Sequence, residues 1–151
     1  MSGLTDAWNE CADPVAMISF AARAARKQDP VVRAAFECAR IAALETPEEL
    51  YAIRGAIHAA RMWLDKQTDS KEARKHKAPL GGLASKDKLA AQAANAVLDA
   101  TSLVKNAPRA VSLAMRSLMT APKAWSASRV SRTFCAVIRE HVKVTRMKTD
   151  R

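Results

Sequence analysis

Residues 89–104 read LAAQAANAVLDATSLV, and this alanine-rich stretch decides the fold class. Its apolar positions recur with the period of a helix and form one stripe that faces a core. The whole chain contains 32 alanines, four glycines and few aromatic residues, a composition that favours helix strongly. We therefore predict an all-α fold, a compact alanine-rich bundle of about seven or eight short helices with no sheet. The predicted core stripe of this stretch consists of Leu89, Ala93, Ala96, Val97, Ala100, Leu103 and Val104.

Proline residues indicate where several helices begin. Asp13, Asp29 and Thr46 each precede a proline, as expected for an N-cap residue followed by a first helical residue that needs no N–H. Thr46 and Glu49 also have the spacing of a capping box. The predicted helices span residues 4–11, 14–27, 30–45, 47–66, 69–76, 85–105, 108–120 and 123–147.

A single domain is expected for residues 1–151, because a chain of this length buries one core. The segment 14–27 is apolar nearly all round and is predicted to be central. The segment 75–84 combines basic residues with a Pro-Leu-Gly-Gly sequence and is predicted to be a mobile loop. In the helix at 47–66, the predicted core face consists of Ile53, Ala56, Ile57, Ala60, Trp63 and Leu64.

Positive charge is concentrated in the last third of the chain. Residues 101–151 contain eleven Lys or Arg against only Glu140 and Asp150, whereas the first 70 residues contain eight basic and ten acidic side chains. Nearly all of the formal net charge of +10 therefore belongs to the C-terminal third. This asymmetry predicts an anionic partner: a nucleic acid, an acidic protein or a charged membrane.

The final helix gives this charge a direction. An arc of about 100° around its axis contains Arg129, Arg132, Arg139, Lys143 and Arg146. Another arc, predicted to face the bundle, contains Val130, Phe134, Val137, Ile138 and His141. A row of cations can dock into an acidic groove or follow a phosphate backbone. The alternative is a solvated basic face that only keeps the protein soluble. The predicted partner-binding residues are Arg109, Arg116, Lys123, Arg129, Arg132, Arg139, Lys143 and Arg146.

Residues that could carry catalysis form no recognisable constellation. The three histidines lack partners at metal-ligand spacing, and the two adjacent glycines do not open a phosphate-binding loop. Cys11, Cys38 and Cys135 are far apart in the chain and set among alanines, so we interpret them as buried free thiols. We therefore predict that the protein is not an enzyme and uses no cofactor and no metal.

A cytoplasmic location is predicted from two features of the sequence. Residues 1–13 contain acids and no basic segment of the kind that begins a signal peptide. No apolar run approaches the roughly 20 residues that span a bilayer, so no membrane association is expected.

Several stretches resemble a known family. Residues 6–11 (DAWNEC), 36–42 (FECARIA), 52–64 (AIRGAIHAARMWL) and 70–74 (SKEAR) are similar, in order and spacing, to an all-helical family of proposed immunity proteins from bacteria and phages. Residues 137–141 (VIREH) are similar in style. The resemblance covers most of the chain and lies mainly in packing residues. It implies a small cytoplasmic protein that neutralises an antagonistic factor by binding it, and it supplies no catalytic residues.

The charge of this chain departs from what such a role usually requires. Immunity proteins against nucleases tend to be acidic because their targets are basic, whereas this chain has a net charge of +10. We therefore predict a non-enzymatic inhibitor of bacterial or phage origin that binds an acidic toxin or defence effector through its basic C-terminal face. The alternative is a helical protein that binds nucleic acid through phosphates without reading sequence. A structural subunit of a larger assembly is a third interpretation.

Overall fold

The structure is a computed structural model that describes residues 3–46, 51–81, 89–120 and 124–147. Nine α-helices lie within these ranges. No sheet occurs within these ranges, so the all-α prediction is confirmed. Two short 3-10 turns, Val104–Asn106 and Val144–Arg146, accompany the helices. The helices are α1 (Gly3–Glu10), α2 (Pro14–Ala24), α3 (Asp29–Leu44), α4 (Tyr51–Leu64), α5 (Ser70–Arg74), α6 (Lys77–Gly81), α7 (Leu89–Ala100), α8 (Ala107–Thr120) and α9 (Ala127–His141).

The alanine-rich helix α7 packs against α3, α4 and α8, and α3 and α8 also pack on each other. Most of its side chains are buried all round the helix rather than along one stripe. An alanine side chain occupies little space, so the axes of neighbouring helices can approach closely and still exclude water. The predicted core residues Ala93, Ala96, Val97 and Ala100 are buried, which confirms the stripe over these positions.

Two residues of the predicted stripe differ: Leu89 is only half-buried, and the Leu103 side chain is 54% exposed. The prediction placed Leu103 in the core because the helix was expected to continue to residue 105. Instead, α7 ends at Ala100, and the Thr101 hydroxyl donates to the carbonyl oxygen of Leu98 at 2.6 Å. Leu103 then has extended backbone angles, which turn its side chain away from the stripe.

The prediction that the segment 14–27 is central is wrong. Helix α2 packs on α8 and α9 at one side of the bundle, and Ala16 and Arg23 are exposed. The buried residues of α2 form one face of the helix: Pro14, Met17, Ile18, Ala21 and Ala24.

Two of the expected caps can be compared with the structure. Asp13 caps α2, because its side chain accepts hydrogen bonds from the backbone N–H groups of Val15 and Ala16. Asp29 is not a cap: α3 begins at this residue, and its carboxylate accepts a hydrogen bond from Lys66 at 2.7 Å. The capping box beginning at Thr46 lies partly outside the described residues.

Helix α4 has the predicted orientation, with two differences in degree. Its inner face is buried at Ile53, Ala56, Ala60 and Leu64. Ile57 and Trp63 are only half-buried and pack against the edge of the core.

The segment predicted as a loop at 75–84 is helical over Lys77–Gly81. Leu80 is buried there, and the Lys77 ammonium group forms an ion pair with Asp99 on α7. These two contacts hold the short helix α6 against the bundle, which local sequence propensity could not indicate. Residues 82–84 lie outside the described residues, and the mobility of this segment stays a prediction. None of the described helices has both the length and the apolar character needed to cross a bilayer.

Candidate functional site

Helix α9 is fixed in the bundle by its inner face and by its first turn. Val130, Phe134 and Ile138 are fully buried, as predicted from the helical periodicity. The hydroxyl of Ser126 accepts a hydrogen bond from the backbone N–H of Arg129 at 3.1 Å and so caps the helix. The opposite face of α9 is therefore held outward in a fixed orientation.

We define the arginine patch as the half-buried Trp125 and the exposed Arg129 and Arg132, at the start of α9. The guanidinium carbon of Arg129 lies 3.6 Å from the centroid of the Trp125 ring, in cation–π contact. Trp125 is held in turn by a hydrogen bond from its backbone N–H to the carbonyl oxygen of Leu118 at 3.0 Å. Within the described part of the chain, neither arginine forms an ion pair with a carboxylate.

Arg139 lies on the same arc but points into the protein. Its guanidinium group is half-buried and donates to the carbonyl oxygen of Trp8 from two nitrogens, at 3.0 and 3.2 Å. It also donates to the carbonyl oxygen of Cys11. These oxygens belong to the C-terminal end of α1, where helix carbonyls lack intrahelical partners. The contacts of Arg139 are therefore structural, and they attach α1 to α9.

Replacing Arg139 with alanine is expected to lower the free energy of unfolding by about 1–3 kcal/mol, because partly buried carbonyl groups lose their donors. Urea unfolding followed by circular dichroism would measure this change. Arg132→Ala is the matched control on the same helix, and its effect should stay within about 0.5 kcal/mol because the side chain is exposed. Equal effects of the two substitutions would contradict the structural role of Arg139.

The remaining predicted cations are dispersed. Arg109 on α8 forms an ion pair with Asp99 at 3.0 Å and shares that carboxylate with Lys77. Arg116 on α8 is exposed. Lys143 follows the end of α9, and its ammonium group donates to the carbonyl oxygen of Arg139 at 3.1 Å. Lys123 and the side chain of Arg146 lie outside the described residues. The predicted row of cations is thus divided. Arg129 and Arg132 are its exposed members on α9 without a carboxylate partner among the described residues, and Arg132 also donates to the carbonyl oxygen of Ser128.

A cleft of about 490 Å³ borders the arginine patch, between α9 and the connection from α1 to α2. Arg132, Ser128 and Ser131 line its α9 side, and Asn9 and Glu10 line the other side. The sequence gives no signal for this cleft because its two walls are far apart in the chain. The connection at residues 9–12 owes its position partly to Arg139.

Two of the three cysteines, Cys11 and Cys135, line this cleft, and all three are free thiols. Cys38 and Cys135 are buried and Cys11 is half-buried, which confirms free thiols and corrects the burial of Cys11. Burial raises the pKa of the Cys38 thiol well above its ordinary value, and the nearby Glu37 acts in the same direction. Burial also raises the pKa of Cys135, although the Arg139 guanidinium opposes the change. Both thiols are therefore protonated at neutral pH and are poor nucleophiles.

Metal-ligating side chains do not converge in the described ranges: no three His, Cys, Asp or Glu residues there could hold one ion. In comparisons with known proteins, the chain matches no family model, no curated protein and no solved structure. The resemblance to immunity proteins therefore stays a prediction from the sequence.

Proposed function

We propose that this protein is a non-enzymatic binding protein that captures an acidic protein through the arginine patch. The observation that supports the proposal is the stacking of Arg129 on Trp125, with Arg132 one turn further along the same anchored helix. Both guanidinium groups are exposed and have no carboxylate partner among the described residues.

The arginine patch suits carboxylate groups for a physical reason. A guanidinium group is planar and can donate two parallel hydrogen bonds to one carboxylate. Stacking on the indole ring restricts Arg129 before a partner arrives, so less conformational entropy is lost on binding. Trp and Arg are also the residues most enriched at the energetic centres of protein interfaces. The net charge of +10 would accelerate the encounter with an acidic surface.

The biological role that we propose is inhibition of a toxin or a defence effector in the cytoplasm of a bacterium or during phage infection. The resemblance of residues 6–11, 36–42 and 52–64 to proposed immunity proteins supports this part of the proposal. An inhibitor of this kind needs a rigid, complementary surface and no catalytic residues. The anchored α9 and the stacking of Arg129 on Trp125 support the rigidity of such a surface.

Nucleic-acid binding is the second candidate, and the arrangement of the cations argues against it. Arg129 and Arg132 are separated by three residues, or about 4.5 Å along the helix axis, so they follow only a short length of phosphate backbone. Of the residues that would extend the row, Arg139 donates to backbone carbonyl oxygens, and Arg109, although exposed, is paired with Asp99. On duplex DNA, a site with two phosphate contacts predicts a slope of about −2 when the logarithm of the binding constant is plotted against the logarithm of the salt concentration. Five contacts predict a slope of about −4 to −5.

Charge reversal tests the proposed function. The partner is first isolated by crosslinking capture from the native host, and its affinity is then measured for each purified variant by surface plasmon resonance. The double variant Arg129→Glu with Arg132→Glu is expected to weaken binding at least about 100-fold, since it removes two charge-assisted contacts and adds repulsion. The control is Arg74→Glu with Lys105→Glu, which makes the same change in net charge at two exposed positions outside α9.

The proposal would be refuted if the arginine-patch variant bound the partner with an affinity within about twofold of that of the unmodified protein. It would also be refuted if the control variant lost as much affinity as the arginine-patch variant. The melting temperatures of both variants should match that of the unmodified protein, because none of the four side chains is buried. A DNA titration in parallel distinguishes the second candidate. A salt slope steeper than about −4 would replace protein capture with nucleic-acid binding.

A further inference from the structure

A second concave basic surface lies at the other end of α9, where the end of α2 meets the segment that follows His141. We call it the basic cleft; its volume is about 350 Å³, which is within the range of small-molecule sites. Arg26, Lys27 and Lys143 line it. Arg26 and Lys27 lie just after α2, whereas Lys143 follows α9, so the fold brings together cations that the sequence separates widely.

The charge of the basic cleft is only partly compensated. Arg26 and Lys27 are exposed and have no ion-pair partner among the described residues. The ends of α2 and α9 each contribute about half a negative elementary charge, which is less than the three full positive charges of the cations. Glu140 lies 3.7 Å from the imidazole of His141 and is not part of the cleft lining. A net positive potential is left in the cleft.

The floor of the basic cleft is apolar. Ala25, Pro30 and Val142 also line the cleft, and Val142 is buried. A backbone bridge between Ala25 and Met147, together with the burial of Met147, holds the segment after α9 beside the end of α2. The floor is therefore a fixed surface that could accept a flat organic group.

Lys143 has donor capacity left for a ligand. Its ammonium group donates one hydrogen bond to the carbonyl oxygen of Arg139 at 3.1 Å, which leaves two of its three N–H groups available. Arg26 offers up to five donors and Lys27 three. A phosphate group, with three acceptor oxygens and a charge of about −1.5 to −2 at neutral pH, matches this set better than a carboxylate does.

We propose that the basic cleft binds an organic phosphate monoester of small size, with the phosphate on Arg26, Lys27 and Lys143 and the organic group on the apolar floor. This site uses no residue of the arginine patch, so it can be tested separately from the proposed function. The ligand class follows from two features of the cleft: an excess of about two positive charges, which a dianion would balance, and an adjoining apolar surface.

Phenyl phosphate is the probe for this proposal. The comparison ligands are inorganic phosphate, benzoate and a short oligonucleotide that has no terminal phosphate. Titrations would be followed by amide chemical shifts of the full-length protein in nuclear magnetic resonance. We expect phenyl phosphate to bind with a Kd of about 1 mM or tighter and at least about tenfold more strongly than any comparison ligand. The shifts should be largest at residues 25–27 and 142–145.

Arg26→Ala with Lys27→Ala is expected to weaken phenyl phosphate binding at least about tenfold, because two charge-assisted contacts are lost. The matched control is Arg23→Ala with Arg116→Ala, which removes two exposed cations outside the cleft and should leave the affinity unchanged. Equal binding of inorganic phosphate or benzoate would overturn the assignment of ligand class. The site itself would be overturned by any of three results. These are tighter binding of the oligonucleotide than of phenyl phosphate, no binding of phenyl phosphate at 10 mM (about tenfold above the expected Kd), and unaltered affinity in the cleft variant.

Discussion

Phe134→Ala is expected to lower the free energy of unfolding by about 3–5 kcal/mol, one of the two largest effects of a single substitution that we expect in this protein. Phe134 is 0% exposed on the inner face of α9, and the bundle is otherwise built mainly from small side chains. Alanine-packed helices cannot easily move inward to fill a phenyl-sized cavity, because their backbones are already close. The loss is large for a domain whose total stability is of the order of 5–15 kcal/mol.

Urea unfolding followed by far-ultraviolet circular dichroism would measure this change, provided that the slope of the transition is unaltered. Phe20→Ala is the matched control, because Phe20 is only half-buried and its ring contacts Trp8 at a centroid distance of 6.5 Å. We expect the control to cost less than half as much. A loss below about 1 kcal/mol in Phe134→Ala would show that α9 is not anchored by this side chain.

Most of the helical fold could be predicted from local sequence features. Each predicted helix overlaps a helix of the structure, because alanine content, apolar periodicity and proline positions act within a few residues. Two predicted helices are too long: the one at 85–105 ends at Ala100, and the one at 123–147 is α-helical only over Ala127–His141. The inner face of α9 was predicted correctly at Val130, Phe134 and Ile138 for the same reason. Helix α6 was missed because its position depends on the burial of Leu80 and on the ion pair of Lys77 with Asp99.

The candidate site could be predicted only in part. Helical periodicity gives the angle of a side chain around its own axis, and so it placed Arg129 and Arg132 correctly on the outer face of α9. It does not show what a neighbouring element offers to that side chain. Arg139 has nearly the same angle around the axis of α9 as Arg132, yet it binds the end of α1 because two carbonyl groups there lack donors. The contact of Trp125 with Arg129 could not be inferred from helical spacing, because Trp125 precedes the N-cap Ser126 and lies outside α9.

The burial of Ile53 leads to the second large effect, complete unfolding of the Ile53→Asp variant at neutral pH. Ile53 is 1% exposed on α4, which packs against α3 and α7. An unpaired carboxylate there would cost several kcal/mol, in addition to the apolar surface that is no longer buried. Circular dichroism and size-exclusion chromatography at pH 7 would detect the loss of helical structure and of compactness.

Acidification distinguishes the cost of charge from the cost of lost packing. Burial would raise the pKa of the introduced carboxyl group in the folded state above its unfolded value, which is about 3.9. The charge penalty is therefore absent below that pH and grows as the pH rises. Ile53→Asp should regain helical structure between about pH 5 and pH 4, whereas the neutral variant Ile53→Asn should show no such pH dependence. Equal behaviour of the two variants would mean that charge burial is not the cause.

The effect of aspartate at Ile57 differs between the prediction from the sequence pattern and the prediction from the structure. Periodicity places Ile53 and Ile57 in the same core stripe and so predicts equal sensitivity to aspartate. The structure leaves Ile57 half-buried at the edge of α4, where a carboxylate can reach water. We therefore expect Ile57→Asp to stay folded at pH 7, with a loss of about 1–2 kcal/mol. Unfolding of both variants would mean that α4 is rotated relative to the bundle and that its buried face is the full predicted stripe.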